Sequence, residues 1–551
     1  MLLNSSGVPI SQAEIDSARM MVAPSEGRGP DGAGRFPTAY KSGDWTTQDT
    51  ANWSPSMASA DAAILPNRDM TSARVRDIIR NDPTAKAAID KMADLIVGPG
   101  LRLSAKPDAK ALGISPEAGY ALGQQIEAEW RMFSEDPRRT CDAQRRLSMN
   151  GIFRLLARTW VSMNETASVL TWRDGSQRYS TCLQTIDPDR ISNPNGTLNT
   201  LELRGGVKMD PFGAPLGYFV RNAYAGDYWA LAKAWTWTFI PKATKWGRPV
   251  FIHGFEPERE GQTRAISPFA ALLTRLRMIG KFADHELASA AANALFAAFV
   301  ESDLPVDQIN QQLTPNAVTY AEKIVNHFHN HPAKLGGVRI PVMMPGTKIA
   351  MNSSPRQTTA FPVFQTAFLQ GIASALGLSY EQLTMDWSKV NYSSARAALN
   401  EVWRTVKRIS AQFTEQVVHP VYFAFLEEAF NKGYIQIPAG APAFEDMPGA
   451  YMQARWVGAG RGYVDPVKEA EGSALRMENM TSTFEIEAAE QGYDHIEIFD
   501  QIAREEAELK ARGLTRLSLV AAVQSTKGPK PDSKDAEEPI GVQNSGTGTQ
   551  N

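Results

Sequence analysis

The run His327-Phe328-His329-Asn330-His331 is the arrangement in this chain best suited to metal chemistry. Alternate residues of a strand share a face, so three imidazoles at that spacing could converge on one ion. Pro332 follows at once and no carboxylate or thiol sits in register, so a polar strand or loop at a subunit surface is the favoured reading. Nucleotide hydrolysis would need GxxxxGK[ST], and the closest fragment is Gly280-Lys281, followed by Phe282 inside a helical pattern. His285-Glu286 lacks the second histidine of a zincin helix. Gly458, Gly460 and Gly462 alternate as in some phosphate loops, but no strand–turn–helix frames them, and a flexible connector is the plainer reading. His253 reads as a structural residue at a strand end. Glu301 with Asp303, and Glu427 with Glu428, read as carboxylates at helix ends or on solvated faces. With no GxSxG elbow either, neither a catalytic constellation nor a metal or cofactor site is expected, and the chain is read as no enzyme.

The elements around these residues suit a wall better than a pocket. Ser267-Pro268 places an N-cap and a proline at the first turn of a helix running to about Ser302. At ~1.5 Å per residue, such a helix is roughly 50 Å long. Its second half is alanine-rich, with Ala291 and Ala294 among the positions that let other helices approach closely. Gln357–Gly377 is a second helical stretch, and Ala395–Lys432 a third, very long one closed by Gly433. Leu304–Pro355 between the first two is of mixed β character.

Composition narrows the class. With 551 residues the chain should split into several units. The longest nearly apolar run, Leu287–Val300, is too short and too charged at its ends to span a bilayer. The N-terminus MLLNSSGVPISQAEIDSAR has no basic region and no signal-type apolar core, so the chain is expected to stay in the cytosol where it is made. Cys141 and Cys182 lack metal spacing and read as buried thiols. Tight DNA binders are usually strongly basic; a net charge of −3 weighs against a repressor, a nucleoid protein or a packaging motor.

Along the chain, 1–60 reads as an extended arm, and helical spacing follows from Ala62 to Gly98. Helices are predicted at Pro116–Ser134 and Leu147–Glu165, then strands in SVLTWRD, YSTCLQTID, TLELRGGVKMD, PLGYFVRNA, TWTFIPK and PVFIHGF. The turn DPFGAP marks a hairpin. Residues 465–513 read as predominantly helical, and 514–551 as a disordered tail. The fold class is a helix-dominated α+β chain.

Four stretches carry a resemblance: FIHGFEPEREGQTRAISPFAALLTRLRMIGKFADHELASAAANALFAAFVESDL, GVKMDPFGAPLGYFVRNA, LGLSYEQLTMDWSKVNYSSARAALNEVWR and GYVDPVKEAEGSALRMENMTSTFEIEAAEQGYD. In order and spacing, over roughly 69–513, they resemble the portal proteins of tailed bacteriophages, specifically the lambda-type family. The resemblance implies a cyclic ring, generally of twelve copies, with wing, stem, clip and crown. In this chain it implies a wing body at 61–262, a first stem helix at 263–303, a clip at 304–356 and a second stem helix at 357–377. A tunnel loop at 378–394, a long helix returning to the wing at 395–464 and a crown-like region at 465–513 complete it. Lys389, Asn391, Tyr392, Ser393 and Ser394 would then line a channel for double-stranded DNA, held without sequence specificity. Read from residues alone, the loop is a helix connection with Trp387 against the body and Ser393 or Ser394 as N-cap. The resemblance further implies a place in the virion at one capsid vertex, after assembly in the host cytoplasm. Its implied partners are terminase, a head–tail joining protein, and major capsid and scaffold proteins, with no membrane. The alternative reading is a phage nuclease or ATPase acting on nucleic acid, which needs a metal cluster or P-loop.

Overall fold

The computed structural model describes residues 52–53, 55–175, 177–224, 226–296, 334–335, 338–339, 360–388, 390–462 and 465–514. The His327–His331 run, Lys389, most of 304–356, the arm before Asn52 and the tail after Leu514 lie outside them. The chain divides into Met1–Ser59 and Ala60–Asn551. The described residues of the first unit form neither helix nor strand.

The second unit opens with α1 (Ala60–Asn81) and α2 (Pro83–Ile96). One helical run was expected here, and Asp82 divides it. Pro83 pushes the preceding residue out of the helical region (φ −109, ψ 118), and the Asp82 carboxylate then caps α2 by accepting from Ala85 N at 2.9 Å. After β1 (Arg102–Ala105) come α3 (Pro116–Ser134), capped by Ser115, and α4 (Met149–Met163), capped by Ser148. Asn164 ends α4 in the left-handed region.

Each predicted strand is present. β2 (Glu165–Trp172) lies between β3 (Thr181–Ile186) and β8 (Phe251–Phe255), antiparallel to both. A second sheet orders β4 (Leu203–Arg204), β5 (Val207–Met209), β6 (Pro215–Arg221) and β7 (Trp237–Pro241) as a meander. The DPFGAP turn joins β5 to β6: Asp210 Oδ1 accepts from Phe212 N and Ala214 N, and Gly213 supplies the positive φ.

Ser267 caps a short 3₁₀ turn at Pro268–Ala271, and α5 (Leu273–Phe296) follows. The expected helix began at Ser267; the α geometry starts six residues later. Ser267 Oγ donates to Ser162 O at 2.5 Å and accepts from Phe269 N, which pins the tight first turn to the end of α4. Ala291 and Ala294 lie on α5. β9 (Lys334–Leu335) and β10 (Val338–Arg339) pair antiparallel. α6 (Ala360–Ala375) runs antiparallel to α5: Phe364 meets Phe282 with ring centroids 5.3 Å apart, and Gly371 lies beside Arg275.

α7 (Tyr380–Thr384) precedes a continuous helical rod: α8 (Tyr392–Phe413), a π turn at Thr414–Val418 and α9 (His419–Asn431). The sequence predicts the rod without its interruption. Pro420 causes it, because proline has no N–H for the carbonyl four residues earlier and its ring clashes there, so the widened turn absorbs the misfit. The Gln416 side chain in that turn accepts from Phe255 N, tying the rod to β8. β11 (Ala454–Val457) pairs with β1, and α10 (Pro466–Glu478), α11 (Phe484–Glu490) and α12 (His495–Ala511) end the described chain.

Two apolar cores hold the unit. In the larger, Trp130 of α3 meets Phe425 of α9 edge-to-face at 5.1 Å, and Phe133 stacks on it at 5.3 Å. The smaller joins α1 and α2 to Phe269, Leu276, Ile372, Leu383 and Val406, and so anchors the roots of α5 and α6. Cys141 and Cys182 are buried free thiols, as expected. Among the described residues no helix is long and apolar enough to cross a membrane.

Candidate functional site

The segment from Gly377 to Ser394 sits between the root of the α5/α6 pair and the start of the rod. Gly377 takes a positive φ (+70), and an added Cβ would meet Thr405 of α8 at 2.8 Å, so the turn crosses the rod closely. Ser379 and Gln382 form a capping box on α7. Met385 is left-handed, and Asp386 then accepts from Ser388 N and Ser388 Oγ, holding an exposed turn that carries Trp387 at its apex. Asn391 Oδ1 accepts from Ser394 N at 2.8 Å and caps α8.

This geometry corrects part of the sequence reading. The segment expected as loop contains α7, and α8 starts at Tyr392 instead of Ala395, so Tyr392, Ser393 and Ser394 form its first helical turn. The cap is Asn391, not a serine. Asn ranks with the strongest N-caps, and the Asn391-x-x-Ser394 spacing was the available signal. Ser393 and Ser394 are exposed. Around them lie exposed Arg396 and, farther along the rod, Lys407, paired to Glu490 at 3.2 Å. Among the described residues the arrangement presents hydroxyl groups and dispersed charge.

The strongest electrostatics are elsewhere, and they are structural. Glu165 is fully buried on β2. Its carboxylate accepts from Arg264 at 2.5 and 3.1 Å, from Arg68 and, at 2.7 Å, from His253 Nε2. Burial by itself raises the Glu165 carboxyl, but Arg264, Arg68 and His253 outweigh it and hold the group well below the usual range. Burial keeps the His253 pKa low. Arg264 also donates to the carbonyls of Ile191, Gly205 and Pro188. Each nitrogen of the Arg264 guanidinium is thus committed to fold closure, in keeping with the structural reading of His253. Glu427 and Glu428 are not solvated as expected. The start of β3 receives Glu428, which accepts from Ser180 N and Thr181 N at 2.6 and 2.8 Å, while Glu427 pairs with Arg248. Helix α9 is covered on most sides by the larger core, so these acids meet strand ends where solvent was expected. Among the described residues no three His, Cys, Asp or Glu side chains are placed to hold a metal. At the glycine-rich connector, an added Cβ on Gly460 would meet the Gln491 carbonyl oxygen at 2.3 Å, a close backbone crossing with no sequence signature.

Between α3 and α12 lies an open cleft of about 710 Å³, flanked by Glu127, Arg131, Asp494 and Glu497. Burial first, then repulsion from Asp494 and Glu497, pushes the Glu127 carboxyl from 4.5 up to about 7, against its hydrogen bond from Ala105 N and the nearby Arg131. Arg102 pairs with Glu497 at 2.9 Å. A raised acid pKa favours the folded state below the ordinary value and loses that advantage as pH rises through about 7. Cleavage of α12 by a protease should therefore be faster at pH 8 than at pH 6, and Glu127→Gln should remove the difference. An equal pH effect in the variant would sink the assignment.

The sequence model for phage portal proteins of the lambda family matches residues 46–409. The portal protein of Escherichia phage N15 is 34% identical over 485 residues, covering 85% of this chain and 90% of that one. Portal protein B of Escherichia phage lambda is 33% identical over 506 residues, covering 88% and 93%. Among solved structures, a chain from the neck of an empty gene transfer agent particle, computed with C6 symmetry, covers 77% of this chain and 93% of its own at 14% identity and a TM-score of 0.38.

Proposed function

Because this chain belongs to the lambda family of phage portal proteins, and is accordingly a structural protein of the virion and not an enzyme, we propose that it forms a ring at one capsid vertex and conducts double-stranded DNA. Family membership also sets aside the nuclease and ATPase reading. Twelve copies would close the ring, formed in the host cytoplasm. The observation that carries the proposal is the antiparallel α5/α6 pair, which leaves the body and returns to the same root just before the segment that holds α7 and the exposed turn at Met385–Ser388. In this reading α5 and α6 are the stem, with Ala291 and Ala294 at its close contacts. The 304–356 stretch is the clip that docks terminase and later the head–tail joining protein, the 61–262 body is the wing and 465–513 the crown. Stem and wing meet scaffold and major capsid protein. Lys389, Asn391, Tyr392, Ser393 and Ser394 face the channel and touch backbone phosphate, which carries no sequence information.

Lys389→Ala tests this directly. Ring size by native mass spectrometry should be unchanged, while the yield of full heads falls about five-fold, as for loss of repeated contacts worth up to ~1 kcal/mol each. Packaged DNA should also be shorter. Wild-type yield and length would refute the channel assignment.

A further inference from the structure

Two surfaces of the second unit face solvent, and they are opposite in charge. The β4–β7 sheet buries Val207, Tyr218 and Val220 on one side. On the other, Phe219 and Phe239 pack at 5.0 Å, with the Lys208 ammonium 6.0 Å from the Phe239 ring centre. The Arg221 guanidinium lies 5.0 and 5.7 Å from the Trp237 and Trp235 rings. The β6–β7 connection adds Tyr228, Trp229 and Trp235, exposed by 79%, 72% and 65%. Residues 203–248 hold seven basic and two acidic side chains. Both acids are held locally by backbone N–H groups, Asp210 in its turn and Asp227 by Tyr224 N, and the segment keeps a net positive balance. Arg204 and Arg248 are paired to Asp61 and Glu427, which leaves Lys208 and Arg221 on the aromatic face and Lys233, Lys242 and Lys245 exposed in the flanking connections.

The second surface is α10–α12. Residues 466–511 hold twelve acidic and four basic side chains. No residue of α12 is buried, Phe499 is 48% exposed, and the helix stands off α3 across the cleft described above. Glu505, Glu506 and Glu508 lie on its C-terminal half, all exposed, with Glu505 at the cleft and Glu508 3.5 Å from Arg512.

We propose that the aromatic and cationic face of β4–β7 docks the acidic helix α12 of a second copy of this chain. Trp, Tyr and Arg are the side chains that dominate buried interface energetics, and the charge match supplies orientation. A nucleic acid fits less well, because Arg221 and Lys208 already occupy the ring faces on which bases would stack. Two different patches give a head-to-tail contact, the kind that closes into a ring. The inference rests on the ring reading above.

The test places a photo-crosslinking amino acid at Trp229 of the full chain, with Tyr228 as a second site, in rings assembled from light and heavy isotope populations. Crosslinks are expected between isotopes and into residues 495–511. Their yield should drop roughly five-fold in Glu505→Lys/Glu506→Lys/Glu508→Lys, since each exposed ion pair contributes up to ~1 kcal/mol. Crosslinks to other segments, to DNA, only within one copy, or none, in rings of wild-type size by native mass spectrometry, overturn the docking surface and leave the ring reading standing. Failure of the unsubstituted chain to form rings overturns both.

Discussion

Glu165→Gln should destabilise the second unit by about 3–5 kcal/mol, because it leaves Arg68 and Arg264 buried without their carboxylate. The amide keeps the volume, so a cavity does not contribute. The cluster joins α1, β2, β8 and the turn after it, so the loss should register as cooperative unfolding of the whole body. Because the Glu165 carboxyl sits well below 4.5, its stabilisation is present above that value and is lost as pH falls through the lower folded value. The wild type should therefore lose this contribution only at strongly acidic pH, while the variant lacks it throughout. Urea unfolding of both proteins measures the difference, and a change under about 1 kcal/mol would remove the cluster from its assigned role.

Gly460→Val is expected to release the C-terminal helices while leaving the body folded. Its Cβ would lie 2.3 Å from the Gln491 carbonyl oxygen, and backbone cannot swing aside as a side chain can. The hydrogen bond from Arg461 N to Glu490 O at 2.8 Å is formed at the same crossing and would break with it. Limited proteolysis should then remove residues beyond about 462 at least ten-fold faster than in the wild type, since loss of one buried backbone bond plus overpacking costs upwards of ~1.4 kcal/mol. Unchanged cleavage would mean that the crossing relaxes without cost.

Strands β2 to β8 and most helices are legible in the sequence for a local reason, since each carries its own signal, whereas β1 and β11 pair across the chain and carry none. Ser115-Pro116 and Ser267-Pro268 announce helix starts, alternation marks β2 through β8, and DPFGAP marks the hairpin. Breaks and burial were less legible. Asp82-Pro83 is a break signal that apolar spacing on both sides outweighs, and Pro420 is masked by the strongly helical run around it. Glu165, Glu427 and Glu428 could not be recognised as buried, because their partners lie up to 248 positions away and no local pattern encodes them. At the candidate site, Asn391 carried a readable cap signal, whereas the helical state of Tyr380–Thr384 depends on packing Leu383 into the smaller core.

The larger core has a consequence for the making of the protein. Phe133 waits for Phe425, its stacking partner, through nearly three hundred intervening residues. At ~5–20 residues per second, the first half of that core would stay open on the ribosome for roughly 15–60 s. Closure of so long a loop is insensitive to its length, since doubling it costs only ~0.6 kcal/mol. The α5–α6 excursion can therefore grow or shrink between relatives with little effect on body stability. What it sets is the interval during which Trp130 and Phe133 need protection from aggregation.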